Sequence, residues 1–377
     1  MAQLLTTRAT HRRAAVGSAV ITDVMTPAPR DIWRGVLRDD PGATALQTPE
    51  YFGAVLTATR GRDASRVYQL SDGRQLVLPL VQERAVAGLR VESAYPGGYG
   101  HGGMLATGGL LDDDVRMVVR DLRSEAISVR IGGAHHTADA WSAGLLPGVV
   151  DEGRRVDVID LAGGFEALKA ERFSPEVRQR IRKAQRDGVE IERDTTGRLV
   201  PVFHDIYRGW VERWIPRSGL PPVLARRMAL REEPLHKFET VAAEIGEDCR
   251  VFVAWHRGRP VAAGITLVHG QHAIGWRSYS IKELAAPVSA NIFNQVACIE
   301  DASLSGCRWF HLGQSGGVAS LQDYKSSLGA SPRSVVDLRI EPAGLARLRA
   351  ARGRAEGVLA RALTRSPAGS TSGQPTL

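Results

Sequence analysis

The chain has 377 residues, an apolar fraction of 43%, a charged fraction of 24% and a formal net charge of +8. That length suits two ordinary domains and the composition is that of a soluble globular protein, while no apolar run approaches the ~20 residues of a membrane-crossing helix. Three cysteines (Cys249, Cys298 and Cys307) lack motif spacing, so they imply a reduced cytoplasmic thiol set and neither a disulfide framework nor a zinc site. The basic balance is concentrated at the ends: residues 1–30 and 341–377 together carry +7, and residues 31–340 only +1. Basic ends attract polyanions loosely, so the bulk charge does not identify a nucleic-acid partner.

In chain order, residues 1–30 read as disordered. Arg12-Arg13 before a short apolar stretch imitates a twin-arginine export signal, but the stretch is weak and ends at Thr22-Asp23 with no small-residue cleavage site. Thr48-Pro49-Glu50 starts a helix to about residue 59, with a capping threonine and proline at the first helical position. Alternating strands follow at 65–70 and 75–81 around the Asp72-Gly73 turn. A third strand, 89–95, runs into the glycine-rich loop 96–103. Three aspartates at 112–114 open a helix whose positive end they complement, and a strand at 126–131 ends this first α/β unit.

The second unit begins with a strand at 154–161. Ser174-Pro175-Glu176 caps a helix that Asp187-Gly188 closes; a strand (189–193) and an amphipathic helix (199–214) follow. A proline-rich loop, 216–222, leads to two helical stretches, one around 235–245. A meander of three strands (250–255, 260–268, 271–279) precedes a helix at 288–304, a strand at 308–312 and a short helix bearing Lys325. Residues 347–361 read as helix and 366–377 as a polar tail. Two successive mixed α/β units, each with a meander before a long helix, suggest structural duplication. The boundaries expected are 31–150 and 151–335, with a closing strand and helix over 336–365.

Several segments carry candidate chemistry. Phe173-Ser-Pro-Glu-Val-Arg178-Gln-Arg180-Ile-Arg182-Lys183-Ala184, followed by Gly188-Val-Glu-Ile, is similar to an "R-x-x-I-R-K-A-x-x-x-G-V" element. Gly313-Gln314-Ser315 and Tyr324-Lys325 with Leu328-Gly329-Ala330 resemble a "G-x-S … F-K-x-x-F-G-A" ending, with Tyr and Leu in place of Phe. Pro96-Gly-Gly-Tyr99-Gly resembles a Gly/Tyr-rich loop. On these residues the chain resembles the FemABX-like branch of the GNAT acyltransferases over roughly residues 90–332. The resemblance implies an α/β (mixed α+β) fold of two tandem GNAT-like domains with the active cleft between them. It also implies transfer of an acyl or aminoacyl group onto a primary amine of a peptide, amino sugar or small metabolite. The co-substrate expected is an aminoacyl-tRNA, through its acceptor end, or an acyl-coenzyme A, with no tightly bound cofactor.

The order of elements from 250 to 312 is that of a GNAT core, in which the acyl donor occupies a gap between two splayed strands and a helix N-terminus faces it. That start lies near Ser289 and Asn291, the donor-binding candidates. No glycine stands between Ser278 and Leu304, so the Arg/Gln-x-x-Gly-x-Gly/Ala signature of coenzyme A binding is missing there; Gln314-Ser-Gly-Gly-Val-Ala319 fits the pattern one strand too late. The resemblance makes Lys325 the cleft cation, against the alternative of an ordinary surface lysine. Tyr279 either hydrogen-bonds a leaving oxygen or fills the sheet surface.

His311, at a strand end, and His101, in the glycine loop, are candidates to take the amine's proton. Arg178 and Arg182 either cradle phosphate or form a solvated face. Arg213 is carried over as an acceptor-binding arginine, and Tyr99, Gln314 and Ser315 as further substrate contacts. Tyr207, Trp210 and Trp214 recur at helical spacing and read as core. His135-His136 is not a metal pair, since neighbours on a strand face opposite ways; no metal is expected. A third reading is a non-catalytic GNAT-like module that binds through its basic ends.

Overall fold

The computed structural model describes residues 19–86, 89–100, 102–125 and 127–342. His101, the Arg12-Arg13 segment, the helix expected at 347–361 and the tail 366–377 lie outside these.

The first unit holds two sheets. A four-stranded antiparallel sheet has the order Ile21–Met25, Arg66–Leu70, Gln75–Leu78, Leu105–Ala106. A six-stranded sheet has the order Arg62–Asp63, Val81–Val86, Leu89–Ser93, Ile127–Gly132, Asp337–Ile340, Val149–Asp151. The second unit is one seven-stranded sheet: Val189–Asp194, Cys249–His256, Arg259–His269, His272–Ser280, Trp309–Gln314, Arg154–Asp160, Ser331–Val335. In each unit a hairpin strand leads through a helix to a parallel neighbour. Leu89–Ser93 passes by helix Asp112–Ser124 to Ile127–Gly132, and His272–Ser280 by helix Ala290–Leu304 to Trp309–Gln314. The duplication expected from the sequence is therefore present as topology.

Local chemistry explains most starts and turns. The Thr48 hydroxyl accepts from the Tyr51 amide at 3.1 Å ahead of helix Pro49–Thr59. Ser174 does the same for Val177 at 3.2 Å ahead of helix Pro175–Arg186. Gly73 turns the first hairpin at φ +85°, where a side chain would be strained. One expectation is overturned: residues 21–25 are not disordered but form an edge strand paired with Arg66–Leu70. Its mostly exposed, polar-alternating side chains hide a backbone that completes a sheet.

The units share a core. Trp33, Tyr51, Phe52 and Tyr95 of the first pack in one cluster with Phe203, Phe238 and Trp276 of the second; the Tyr51 and Trp276 rings meet edge-on at 6.1 Å. The chain crosses back as well: Ser331–Val335 ends the second sheet and Asp337–Ile340 enters the first. Burial of this aromatic set and a shared strand crossing fix the orientation of the units, and hence the shape of the space between them.

Candidate active site

Strands His272–Ser280 and Trp309–Gln314 run parallel, yet their pairing covers only His272–Trp309, Ala273–Phe310 and Ile274–His311. Each strand carries one extra residue just beyond. Trp276 falls between Gly275, opposite Thr266, and Arg277, opposite Ile265. Leu312 falls between His311, opposite Val158, and Gly313, opposite Asp157. A bulge bends its strand and takes backbone out of the ladder, so paired bulges end the contact between these neighbours. Gly275 stands at the last point of close approach, where a Cβ would come within 3.3 Å of the Phe310 ring and 3.4 Å of the His311 carbonyl oxygen.

The split opens on two sides. On one lies a groove of about 480 Å³ bordered by Tyr279, Asn291, Gln295, Tyr324 and Lys325. On the other lies a cavity of about 770 Å³ between the units, bordered by Gly97, Gly98, Arg130, Arg154, His135 and His311. Gly275, Trp276, Arg277, Leu312 and Gln314 border both. The Trp276 indole packs in the shared aromatic core against Tyr51 and Phe238, and its Nε1 is buried without a hydrogen-bond partner among the described residues.

Lys325 is buried at the groove, on helix Ala319–Ser327. Its Nζ donates to the carbonyl oxygens of Gly313 and Gln314, both at 2.8 Å, and lies 3.2 Å from Asp157 Oδ2. The same Asp157 oxygen accepts from the Ser315 hydroxyl at 2.5 Å. Burial lowers the lysine's pKa below the ordinary range, and Asp157 opposes that shift. Three acceptors take the three ammonium hydrogens, so Lys325 clamps the Gly-Gln-Ser turn that ends the strand.

Tyr279 borders the groove, its ring against Tyr207 at 4.8 Å, Trp210 at 5.4 Å and Phe203 at 5.7 Å. Burial, reinforced by Glu233, raises its phenol pKa, so it stays protonated at neutral pH. Asn291 borders the groove, whereas Ser289 is buried in a left-handed conformation (φ +56°) outside the groove's lining. Arg213 donates to the Ser280 carbonyl beside the groove.

The remaining candidates sit elsewhere. Arg178 donates to the carbonyls of Ala170 at 3.1 Å and Phe173 at 2.5 Å, closing the end of helix Gly164–Glu171. Arg182 is exposed beside Arg186 on a separate shallow surface. Tyr99 turns its ring into the core, with Lys237 Nζ 4.3 Å above it, while its flanking glycines border the cavity. Arg178 finds internal carbonyls, Arg182 open solvent and the Tyr99 ring the shared core, each in preference to the split.

Two groupings were not read from the sequence. Glu233 accepts from Arg277 Nη2 at 2.6 Å and pairs with Lys237 at 3.0 Å. Both cations also donate to the Gly98 carbonyl of the first unit, Lys237 at 2.6 Å. Burial brings the Lys237 pKa down to about 8. The second grouping contains His311. Its Nε2 lies 3.0 Å from His272 Nδ1, while His135 approaches His311 at 5.1 Å and His136 stacks on His272 at 4.8 Å. His135 and His136 thus meet the second unit's histidines from across the seam. Burial lowers all four, His135 to about 4 and His272 to about 3. Among the described residues no three ligand side chains are arranged to hold a metal ion.

Comparison with known proteins bears on the fold. A sequence model of the acetyltransferase (GNAT) domain family matches residues 171–326. Among solved structures, FemX superposes with a TM-score of 0.60 at 11% identity, over 83% of this chain and 96% of that one. A conserved protein of unknown function from Bacteroides thetaiotaomicron gives 0.52 at 10% identity, over 83% and 98%. The C-terminal domain of a putative lysylphosphatidylglycerol synthetase from Agrobacterium fabrum gives 0.50 at 12%, over 85% and 93%. No curated protein matches in sequence. The fold is that of two tandem GNAT-like domains and is similar to that of FemX.

Proposed function

We propose that this FemABX-like chain of the GNAT acyltransferase fold is an N-acyltransferase that joins an acyl group and a primary amine through the split between its two bulged strands. The observation that carries the reading is the meeting of two cavities at Gly275, Trp276, Arg277, Leu312 and Gln314. An acyl donor in the smaller groove presents its carbonyl at the split, and an amine in the cavity between the units approaches from the opposite face. Holding two reactants in line supplies much of the rate in such a reaction.

The neutral amine attacks the ester or thioester carbonyl. Negative charge on the carbonyl oxygen is met by backbone amides that the bulges at Trp276 and Leu312 take out of the ladder. Collapse breaks the bond from carbonyl carbon to the leaving oxygen or sulfur and leaves an amide. Tyr279, protonated, donates to the leaving atom, and the proton lost by nitrogen returns to Tyr279 through solvent. Lys325 holds the Gly313–Gln314 edge of the split and acts as a positioning residue. Acceptors of the expected class are peptides, amino sugars or small metabolites bearing a primary amine.

For the donor, the first reading is an aminoacyl-tRNA. Ser289 and Val288 are buried at the helix start where a glycine cradle for a pyrophosphate would stand, and the FemABX-like resemblance implies the same donor. The second reading is an acyl-coenzyme A. It is favoured by Arg178, whose guanidinium is occupied by helix-end carbonyls and is not free for a tRNA phosphate. Purified protein incubated with charged tRNA pools, or with acyl-coenzyme A species, plus a panel of primary amines tests both by mass spectrometry of amide products. A ribonuclease-sensitive product supports the first donor and a resistant one the second. Failure to form an amide from either donor class would sink the acyltransferase reading.

A further inference from the structure

Helix Pro222–Glu232 is seated on the second unit through its two buried residues, Ala225 and Ala229, against Tyr207, Val211 and Ile215. Its other side is unlike an ordinary solvent face. At 3.6 residues per turn, Val223, Leu224, Arg227, Met228 and Arg231 fall within an arc of about 140°. Val223 is 77% exposed, Met228 50% and Leu224 46%. Leu220, in the loop before the helix, is also exposed. Arg227 and Arg231 are exposed too and make no ion pair among the described residues, whereas Arg226, off this arc, is paired with Glu212 at 2.6 Å. No carboxylate lies within the arc.

We propose that this face docks on the surface of an anionic lipid bilayer. Apolar side chains interleaved with unpaired guanidinium groups match the boundary between acyl chains and headgroups. Val223, Leu224 and Met228 enter the apolar side, and Arg227 and Arg231 bind lipid phosphates. Other occupants fit less well. A nucleic acid would use the arginines and leave three apolar side chains unburied. A second copy of the chain meeting this face across a two-fold axis would set arginine against arginine. Among the described residues no helix is long and apolar enough to cross a membrane, so the contact is interfacial. The inference rests on this helix alone and does not depend on the acyl-transfer reading.

Flotation of the full chain with vesicles of phosphatidylcholine, with and without phosphatidylglycerol, tests it. The chain should float with the anionic vesicles. The Val223→Ser, Leu224→Ser, Met228→Ser triple variant should lose about tenfold in partitioning, since each lost apolar contact weakens insertion. The Arg227→Gln, Arg231→Gln variant should lose about tenfold or more. All five positions are exposed, so melting temperatures should match the native chain; if the triple variant fails to fold, Val223→Asp alone serves. A native chain that stays at the bottom overturns the proposal. So does a triple variant that floats as well as the native chain, because binding would then come from the basic ends. Concentration-dependent dimerisation abolished by the triple variant would assign the face to a second copy, and overturn it likewise.

Discussion

Lys325 and Asp157 form a 3.2 Å ion pair beneath the turn that ends strand Trp309–Gln314, and the lysine's remaining hydrogens hold the carbonyls of Gly313 and Gln314. Lys325→Met removes all three contacts and strands a buried carboxylate. The expected loss is about 3–5 kcal/mol in urea unfolding, the usual result of breaking one side of a buried pair. Amide formation should fall about a hundredfold, because a displaced turn misaligns the split. Adding Asp157→Asn should recover much of the stability and little of the rate. A double variant that recovers both would show that the lysine acts only through folding.

Tyr279→Phe separates proton donation from packing, since the ring contacts with Tyr207, Trp210 and Phe203 survive the change. kcat should drop by about 10²-fold, the common worth of a positioned acid. KM for the donor should hardly move. Steady-state kinetics with whichever donor class yields an amide decides it, and an unchanged kcat removes Tyr279 from the mechanism.

Glu233 neutralises two cations that both reach Gly98 across the seam. Glu233→Gln leaves Arg277 and the fully buried Lys237 facing each other with only Glu232 to offset their charge. A loss of about 3–5 kcal/mol is expected from chemical denaturation. Because Arg277 borders both cavities, activity should fall with stability.

The four seam histidines make stability depend on pH. Burial holds their folded pKa values below the ordinary value near 6.5, His135 at about 4 and His272 at about 3. Asp40 partly offsets the shift at His136 and Arg333 reinforces it at His135. Below pH 6.5 the unfolded chain therefore binds protons that the folded chain refuses. The histidine contribution is complete above that pH and is lost as pH falls toward the folded values. The urea midpoint should decline from pH 7 to pH 5, and less steeply in His272→Phe. A flat midpoint would contradict the placement of these rings.

Much of the architecture was legible because it rests on local signals. Thr48 and Ser174 announced their helices, Asp72-Gly73 its hairpin, and the spacing of the second meander gave its strands and the helix beyond. Helix Arg30–Asp39 was missed although Trp33, Val36 and Leu37 repeat at helical spacing, and strand Val81–Val86 because Pro79 interrupts the run before it. The site was less legible. Trp276 looks like any strand tryptophan, and its importance comes from a register shift against Ile265 and Thr266 that no local pattern encodes. His135 and His136 gain meaning only from His272 and His311, brought to them by the docking of two sheets. Lys325 and Asn291 border the groove and Gln314 both spaces, while Arg178 and Arg182 border neither, because charge runs carry no information about which carbonyls lie within reach.

In the proposed reaction, acyl group and amine meet through the gap that begins at Gly275. Gly275→Val places a side chain in that gap, against the Phe310 ring and the His311 carbonyl. Amide formation by the variant, measured by mass spectrometry beside its melting temperature, is the most direct test. Product should fall about a hundredfold or more in a protein that still melts cooperatively; native levels of product from the variant would contradict a meeting at this gap.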